Sequence, residues 1–405
     1  MALRLNINRI MTPYGIALLA VVLSFCAWLC PDFGVLRKGF DVTEHSSVFS
    51  SFILFSWYLL IFTGFIIGQR LGAVFASPSR ERITLPRLDS RSVYWTFTIL
   101  GTIGTIATFV RIFRALPPLQ AALYIYLGQA NRLKNTLYVD YSAGITSLRY
   151  LVLYSASLAI YRTVKFRKIS FLAIANIALL AATVLISSRL ILIATLVVSA
   201  FLITYGKRDI RISPVKLGIC ATLLFLILSV LNSSRNSNFY ATQNQTFGEA
   251  GISEIITYLG SPFNVALGAA SRTDEIASSR TDLYREYIDI EPLLTTNSAF
   301  VQLHETMGYA AWPYVGIVCC FMGFMFSWLS SFGRTSLLLP CGAILYGSAE
   351  LWRIDLFRQG IFIVWFAAGI GVPAILLLFG KRRLNRSFRA RRVLLRNGEL
   401  PDPLT

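Results

Sequence analysis

Basic side chains next to long apolar runs are the feature of this 405-residue sequence that most needs a chemical explanation. The sharpest case is Arg189, which follows Ile186-Ser187-Ser188 and precedes a second apolar run that starts at Leu190. An arginine at the centre of a bilayer costs about 2.5–3.5 kcal/mol even on the milder insertion scales, so it is normally paired, hydrated or functional. Arg189 therefore indicates either an anion ligand at the mouth of a cavity or a side chain that reaches from a helix end to the membrane surface.

A second group of charged side chains lies between residues 350 and 358. Glu350 and Arg353 are three residues apart, and so are Asp355 and Arg358. On a helix this spacing brings side chains together, which predicts two pairs that neutralise each other. The alternative is that both guanidinium groups face a cavity, where the carboxylates hold them. Guanidinium matches phosphate geometry with two parallel hydrogen bonds, so this alternative predicts a phosphate site.

Proton transfer has its candidates in His304 and in Glu305 beside it. The sequence has only two histidines, His45 and His304, which excludes a metal site built from several histidines. A histidine has a pKa suited to a general base near neutral pH, and a neighbouring glutamate is a substitute base. We take His304 as the candidate base and Glu305 as its alternate.

These residues must be positioned by membrane-spanning helices. Hydrophobic residues make up 55% of the chain and charged residues 14%, against about 25% charged in ordinary soluble proteins. This composition excludes a soluble enzyme, a disordered tail and a secreted disulfide scaffold. A spanning helix needs about 20 apolar residues. We count ten apolar runs, at roughly 12–30, 49–68, 93–113, 146–161, 169–187, 190–206, 215–231, 310–330, 336–349 and 359–380. The sequence therefore predicts an all-α transmembrane bundle of about ten spans.

The distribution of Lys and Arg predicts the orientation of this bundle. The net charge of +18 would suggest nucleic acid in a soluble protein, but cytoplasmic loops of membrane proteins also collect basic residues, so we expect no nucleic-acid partner. With both termini in the cytoplasm, the basic residues of the inner loops are Arg70, Arg80, Arg82, Arg87, Arg91, Arg162, Lys165, Arg167, Lys168, Lys207, Arg208, Arg211, Lys216 and Arg334.

Four regions follow from this topology. Residues 1–231 contain spans one to seven and an outer loop at 114–145. Residues 232–309 form a large outer loop with nine acidic and four basic residues. Residues 310–380 contain spans eight to ten. Residues 381–405 form a basic cytoplasmic tail, which we expect to contact anionic lipid head groups.

Both long outer loops contain apolar residues at helical spacing. The loop at 114–145 has such a pattern from Leu119 to Ala130, which predicts an amphipathic helix on the membrane surface. In the large loop, Ile252, Ile255, Ile256 and Leu259 repeat with the same periodicity, and we expect Pro262 to end that helix. The large loop is then expected to cap a cavity between the helices.

The sequence resembles the bacterial O-antigen and exopolysaccharide repeat-unit polymerases of the Wzy type. The likeness depends on the ten spans with both ends inside, on the large outer loop late in the chain and on a basic turn before the last span. It also depends on Ser187-Ser188-Arg189 and on the stretch from Tyr258 to Asn264, Tyr-Leu-Gly-Ser-Pro-Phe-Asn. The O-antigen ligases share this plan.

The resemblance implies glycosyl transfer at the outer face of the bacterial inner membrane. Two undecaprenyl-diphosphate-linked oligosaccharides would be joined, without a cofactor or metal, because arginines can stabilise the leaving diphosphate. The diphosphate would be bound by Arg189, Arg353, Arg358, Arg235 and Arg272, and His304 or Glu305 would activate the acceptor hydroxyl. Further expected partners are membrane lipid, a chain-length regulator and a flippase.

Three other functions remain open. A ligase would transfer finished glycan to lipid A core or another acceptor. A flippase would need a cationic cavity but no base. A transferase that uses polyprenyl-phosphate sugars would place acidic residues in the first outer loop, where Asp32, Asp41 and Glu44 are available.

Overall fold

The chain folds as a bundle of α-helices. The computed structural model describes residues 5–6, 10–30, 47–76, 85–127, 131–138, 144–186, 189–205, 211–212, 214–233, 247–271 and 298–396. The helices are α1 (Pro13–Leu29), α2 (Val48–Phe75), α3 (Arg91–Ala115), α4 (Pro118–Tyr126), α5 (Asn131–Tyr138), α6 (Val152–Phe166), α7 (Phe171–Ile186), α8 (Arg189–Thr204), α9 (Pro214–Ser233), α10 (Phe247–Ala270), α11 (Ala299–Met307), α12 (Ala311–Ser330), α13 (Leu338–Glu350) and α14 (Gly360–Arg396). Short 3₁₀ helices cover Ile145–Leu151, Gly308–Ala310 and Leu356–Arg358.

Several of these helices have the length and composition of membrane spans. In the described part of the chain, four stretches are long and apolar enough to cross a bilayer: Val48–Phe75, Arg91–Ala115, Ala299–Ser330 and Gly360–Phe379. Shorter apolar helices cover Pro13–Leu29, Phe171–Ile186 and Leu190–Thr204. The predicted helical fold is confirmed, and its membrane character is supported. The count of ten spans and their orientation stay predictions.

The outer faces of the long helices are apolar. On α2, Phe49, Phe52 and Phe55 are each more than 60% exposed, and Ile99 and Ile106 of α3 are more than half exposed. A helix on the surface of a soluble protein would present polar residues there. Such continuous apolar surface is expected where lipid covers the protein.

α2 and α12 pack more extensively than any other pair of helices described. The contact depends on glycines at every fourth position of α2, Gly64, Gly68 and Gly72, which let the two backbones approach closely. A Cβ atom at Gly68 would lie 1.9 Å from the carbonyl oxygen of Cys320. This obstacle is backbone, so it cannot move aside like a flexible side chain.

We expect Gly68→Ala to destabilise the protein by about 1–3 kcal/mol, the usual cost of overpacking a tight contact. The measurement is the thermal midpoint of the purified protein in detergent. Gly371→Ala in α14 is the matched control, because a Cβ there would meet no atom within 4 Å. Equal midpoints for the two variants would contradict the close approach of α2 and α12.

One end of the bundle, the basic end, brings together segments that are distant in sequence. We define it by residues 85–90, 162–170 and 331–337. Elsewhere in the chain, β1 (Leu5–Asn6) pairs with β2 (Arg211–Ile212) in antiparallel register. The Leu88 amide donates to the Arg334 carbonyl at 3.2 Å, and the Ser336 amide donates to the Pro86 carbonyl at 3.0 Å. These are segments whose excess of Lys and Arg predicts a common, cytoplasmic side.

α10 corrects the expected end of a helix at Pro262. The helix continues through Pro262 to Ala270, although an interior proline removes a backbone hydrogen bond and costs about 3 kcal/mol. Burial offsets this cost, because the small residues from Gly260 to Ala270 are almost all buried. The Trp28 indole of α1 donates to Asn264 Oδ1 at 3.0 Å. This half of α10 is therefore packed among α1 and α2 and does not lie on a surface.

The segment after α3 contains two short helices where one was expected. On α4, Leu119 and Tyr126 are about 85% exposed, as the amphipathic pattern predicts for a face toward lipid. On α5, Leu133 and Leu137 are buried against Ile112 of α3. This packing fixes α5 beside the ends of α3 and α7.

Candidate active site

The connection between α13 and α14 holds a cluster of charged side chains at the opposite end of α13 from the basic end. We call residues 350–358 the acidic–basic turn. The amides of Arg353 and Ile354 both donate to the Glu350 carbonyl at 2.9 Å, so the chain first continues the curvature of α13. It then forms the 3₁₀ helix Leu356–Arg358, whose Leu356 and Phe357 are buried. The turn is thus fixed by packing of its apolar residues.

Glu350 and Arg353 form a buried ion pair. Arg353 Nη2 lies 2.6 Å from Glu350 Oε2, and Arg353 is only 3% exposed. Tyr346 donates to Glu350 Oε1 at 2.8 Å, and the Arg353 guanidinium lies 4.7 Å from the ring centroid of Tyr258 on α10. Burial alone would lower the pKa of Arg353, but the Glu350 carboxylate, together with Tyr258 and Tyr346, holds that pKa above its usual range. The arginine is therefore charged, and Glu350 compensates its charge.

Asp355 is a buried carboxylate in the same turn. Its Oδ2 accepts a hydrogen bond of 2.9 Å from the Tyr314 hydroxyl of α12, and the residue is 3% exposed. Oδ1 is buried without a hydrogen bond of normal geometry to any described residue. Burial raises the pKa of Asp355, although Tyr314, Arg358 and the backbone amides of Phe357 and Arg358 favour its charged form. Asp355 is thus a carboxylate that takes up a proton more readily than an ordinary aspartate.

Arg358 is the exposed cation of the turn. Its Nη1 donates to Thr306 Oγ1 on α11 at 3.2 Å, and its charge acts on the Asp355 carboxylate. Unlike Arg353, it has no short ion pair within the described residues. Arg358 is therefore the arginine of this cluster that an anion could reach without displacing a carboxylate.

His304 is placed differently from what a general base requires. The residue is fully buried, and its Nδ1 lies 2.8 Å from the Phe300 carbonyl, so Nδ1 must donate. Its Nε2 accepts a hydrogen bond of 3.0 Å from the Trp312 indole. The rings of Trp57 and Phe300 also contact the imidazole, at 5.5 and 4.2 Å between centroids. In this geometry both nitrogens have partners, so His304 would have to exchange one of them to act as the base, and its role stays a prediction.

Glu305 lies on the same helix, between His304 and the Thr306 hydroxyl that Arg358 contacts. Its side chain is only partly buried, in contrast to His304. Through Thr306, α11 brings Glu305 into the same region as the acidic–basic turn. Glu305 therefore remains a second candidate base, beside Asp355.

The other three predicted diphosphate ligands cannot be assigned to this cluster. Arg189 is the first residue of α8, and its side chain lies outside the described part of the structure. Arg235 and Arg272 also lie outside the described residues. Their role in anion binding stays a prediction.

Sequence reasoning missed the tyrosines that organise this site. Tyr346 lies four residues before Glu350 on α13, a spacing that could have indicated their hydrogen bond. Tyr314 contacts Asp355 across 41 residues of sequence, and no local pattern indicates such a contact.

The acidic–basic turn thus combines a proton acceptor, an accessible cation and a rigid support. The sequence matches no family model, no curated protein and no solved structure. What the chain does must therefore be inferred from these residues and from the membrane character of the bundle.

Proposed function

We propose that the chain is a glycosyltransferase that polymerises undecaprenyl-diphosphate-linked oligosaccharide repeat units at the outer face of the bacterial inner membrane. The product would be an O-antigen, capsule or exopolysaccharide. The observation that carries the proposal is the pairing, in one turn, of the buried Asp355 carboxylate with the exposed Arg358. A glycosyl transfer from a diphosphate needs both a base and a cation.

The reaction assigns a role to each group. An acceptor sugar hydroxyl attacks the anomeric carbon of the donor, and its proton passes to the Asp355 carboxylate, with Glu305 as the alternative acceptor. A bond forms between the acceptor oxygen and the anomeric carbon, and the bond from that carbon to the diphosphate oxygen breaks. Arg358, with Arg189 as a further candidate, stabilises the charge on the undecaprenyl diphosphate that leaves. Because arginines supply the positive charge that stabilises the leaving diphosphate, the proposed reaction needs no metal.

Tyr314 and the Glu350–Arg353 pair are positioning groups in this proposal. Tyr314 orients the Asp355 carboxylate through their hydrogen bond of 2.9 Å. The buried ion pair and the Glu350 backbone carbonyl, which accepts from the amides of Arg353 and Ile354, together fix the backbone that precedes Asp355. A base and a cation held on a rigid turn are preorganised for the transition state.

The proposed function is tested by deleting the gene in its native host and separating the surface and lipid-linked glycans on gels. We expect products that stop at one repeat unit, with wild-type plasmid restoring the full ladder. Full-length chains that accumulate on the lipid carrier would indicate a ligase instead. Loss of all outer-face glycan, with repeat units trapped inside, would indicate a flippase.

An unchanged glycan profile would contradict the polymerase proposal. The remaining alternative would then be a transferase that uses polyprenyl-phosphate sugars. Its test is the transfer of a labelled sugar from polyprenyl phosphate to membrane acceptors, in extracts with and without the protein.

A further inference from the structure

A cavity of about 280 Å³ lies at the basic end, at the opposite end of α13 from the acidic–basic turn. Its basic lining residues are Lys165 in the last turn of α6, Arg167 just after that helix, and Arg334 between α12 and α13. Its volume is close to the lower limit of small-molecule sites, which are roughly 300–1,000 Å³. The cavity therefore has room for a compact group such as a lipid head group.

The charges around this cavity favour an anion. Lys165 is paired with Asp89, at 2.5 Å between Nζ and Oδ2, and this contact lowers the pKa of the Asp89 carboxyl. Arg167 and Arg334, by contrast, form no ion pair with any residue that the structure describes. Asp89 also pairs with Arg87, at 3.4 Å, and does not line the cavity. The lining thus has three cations and no carboxylate, and the guanidinium groups of Arg167 and Arg334 remain to bind a ligand.

The remaining walls of the cavity are apolar and aromatic. Leu88, Leu202 and Leu338 are buried there, and Tyr161 and Tyr205 add ring surface. A site for a fully hydrated ion would be lined by polar groups. Cations next to apolar walls suit an amphiphile whose phosphoryl group is charged and whose remainder is not.

The position of the cavity along α6 supports the same ligand. Val164 lines the cavity and is 51% exposed, and Phe166, Ile169 and Phe171 beside it are 52–85% exposed. Exposed apolar residues adjacent to basic ones mark the level at which hydrocarbon meets head groups. The cavity thus opens where the head group of a lipid would lie.

We propose that this cavity binds the anionic phosphoryl group of an amphiphile, with Arg167 and Arg334 as its principal ligands. Basic residues are common in cytoplasmic loops and at the C-terminal ends of helices such as α6. Those general causes do not account for the convergence of three cations on one cavity with apolar walls. The inference is independent of the glycosyltransferase proposal and needs only the membrane character of the bundle.

Native mass spectrometry of the purified full-length protein tests this site. The protein is titrated in detergent with phosphatidylglycerol, which is anionic, and with phosphatidylcholine, which has no net charge. We expect wild type to retain one phosphatidylglycerol more tightly than any phosphatidylcholine. The double variant Arg167→Gln/Arg334→Gln should bind it about tenfold more weakly, as expected for the loss of charge-assisted hydrogen bonds.

Arg114→Gln is the matched control, because Arg114 is also an exposed arginine but lies in the last turn of α3, outside the cavity. Both variants should elute and melt like wild type, since the replaced side chains are exposed. Equal affinity for the two lipids, or an equal loss in Arg114→Gln, would overturn the proposal.

Inorganic phosphate distinguishes the two possible sources of the phosphoryl group. Failure of millimolar phosphate to displace phosphatidylglycerol would identify a membrane lipid as the ligand. Displacement that disappears in the double variant would identify a soluble phosphate ester at the same two arginines. Displacement that is unchanged in the double variant would place the anion elsewhere and contradict the site.

Discussion

Asp355→Asn is expected to lower the rate of repeat-unit joining by about a hundredfold or more, the usual contribution of a general base. Asparagine has nearly the same shape and can still accept the Tyr314 hydrogen bond, but it cannot take up the acceptor proton. The measurement is the initial rate of polymer formation by purified protein in liposomes supplied with lipid-linked repeat units. Elution and thermal melting should match wild type.

Glu305→Gln is the matched comparison, because it neutralises the other candidate carboxylate in the same region. We expect it to keep most of the activity. A large loss in Glu305→Gln together with a small loss in Asp355→Asn would transfer the role of base to Glu305. A small loss in both variants would mean that neither carboxylate removes the proton.

The dependence of rate on pH gives a second, independent test of Asp355. A base acts in its deprotonated form, so activity rises with pH as the carboxyl loses its proton. Because burial raises the pKa of Asp355, this rise should lie above the value of about 4 for an ordinary aspartate.

Tyr314→Phe should shift this rise in activity to still higher pH. The Tyr314 hydrogen bond stabilises the charged form of Asp355, so its removal raises the pKa of that carboxyl further. A purely structural role of Tyr314 would lower the rate at every pH without shifting the profile.

Glu350→Gln should destabilise the protein by about 3–5 kcal/mol, the cost of leaving one member of a buried ion pair without its partner. Arg353 would keep its charge while 3% exposed and would lose the carboxylate at 2.6 Å. The measurement is the free energy of unfolding by denaturant in detergent. Arg358→Gln in the same turn is the matched control, because its side chain is exposed.

The double variant Glu350→Gln/Arg353→Met separates the loss of charge balance from the loss of shape. Methionine is unbranched and apolar, so the uncompensated charge disappears while much of the packing remains. We expect it to recover most of the lost stability, since no uncompensated charge then stays buried. A double variant no more stable than Glu350→Gln would argue that the pair does not act through its charge.

The positions of the helices in the chain could be predicted from the sequence, whereas the helices that each one packs against could not. Apolar runs of about 20 residues specify a spanning helix wherever they occur, so α1, α2 and α3 begin within two residues of their predicted runs. Pro262 misled the prediction for α10, because the local preference of proline is overridden by burial against helices that lie far away in sequence.

The same limit applies to the candidate site. The spacing of Glu350 and Arg353 correctly indicated a pair, because three residues apart on a helix is a local relation. The chemistry of His304 suits a base, and its role stays a prediction, because the role of an imidazole also depends on what its two nitrogens contact. Trp312 is only eight residues away, yet no periodicity indicates that its indole would donate to that ring.

The contacts between α1 and α10 constrain the order in which the molecule can be assembled. Ser24 donates to the Leu259 carbonyl and Trp28 donates to Asn264, across 235 and 236 residues of sequence. A ribosome completes the first helix long before it reaches the residues that hold it. We therefore expect the hydroxyl and indole groups of α1 to have temporary partners at first, and to exchange them when α10 is made and packs against α1.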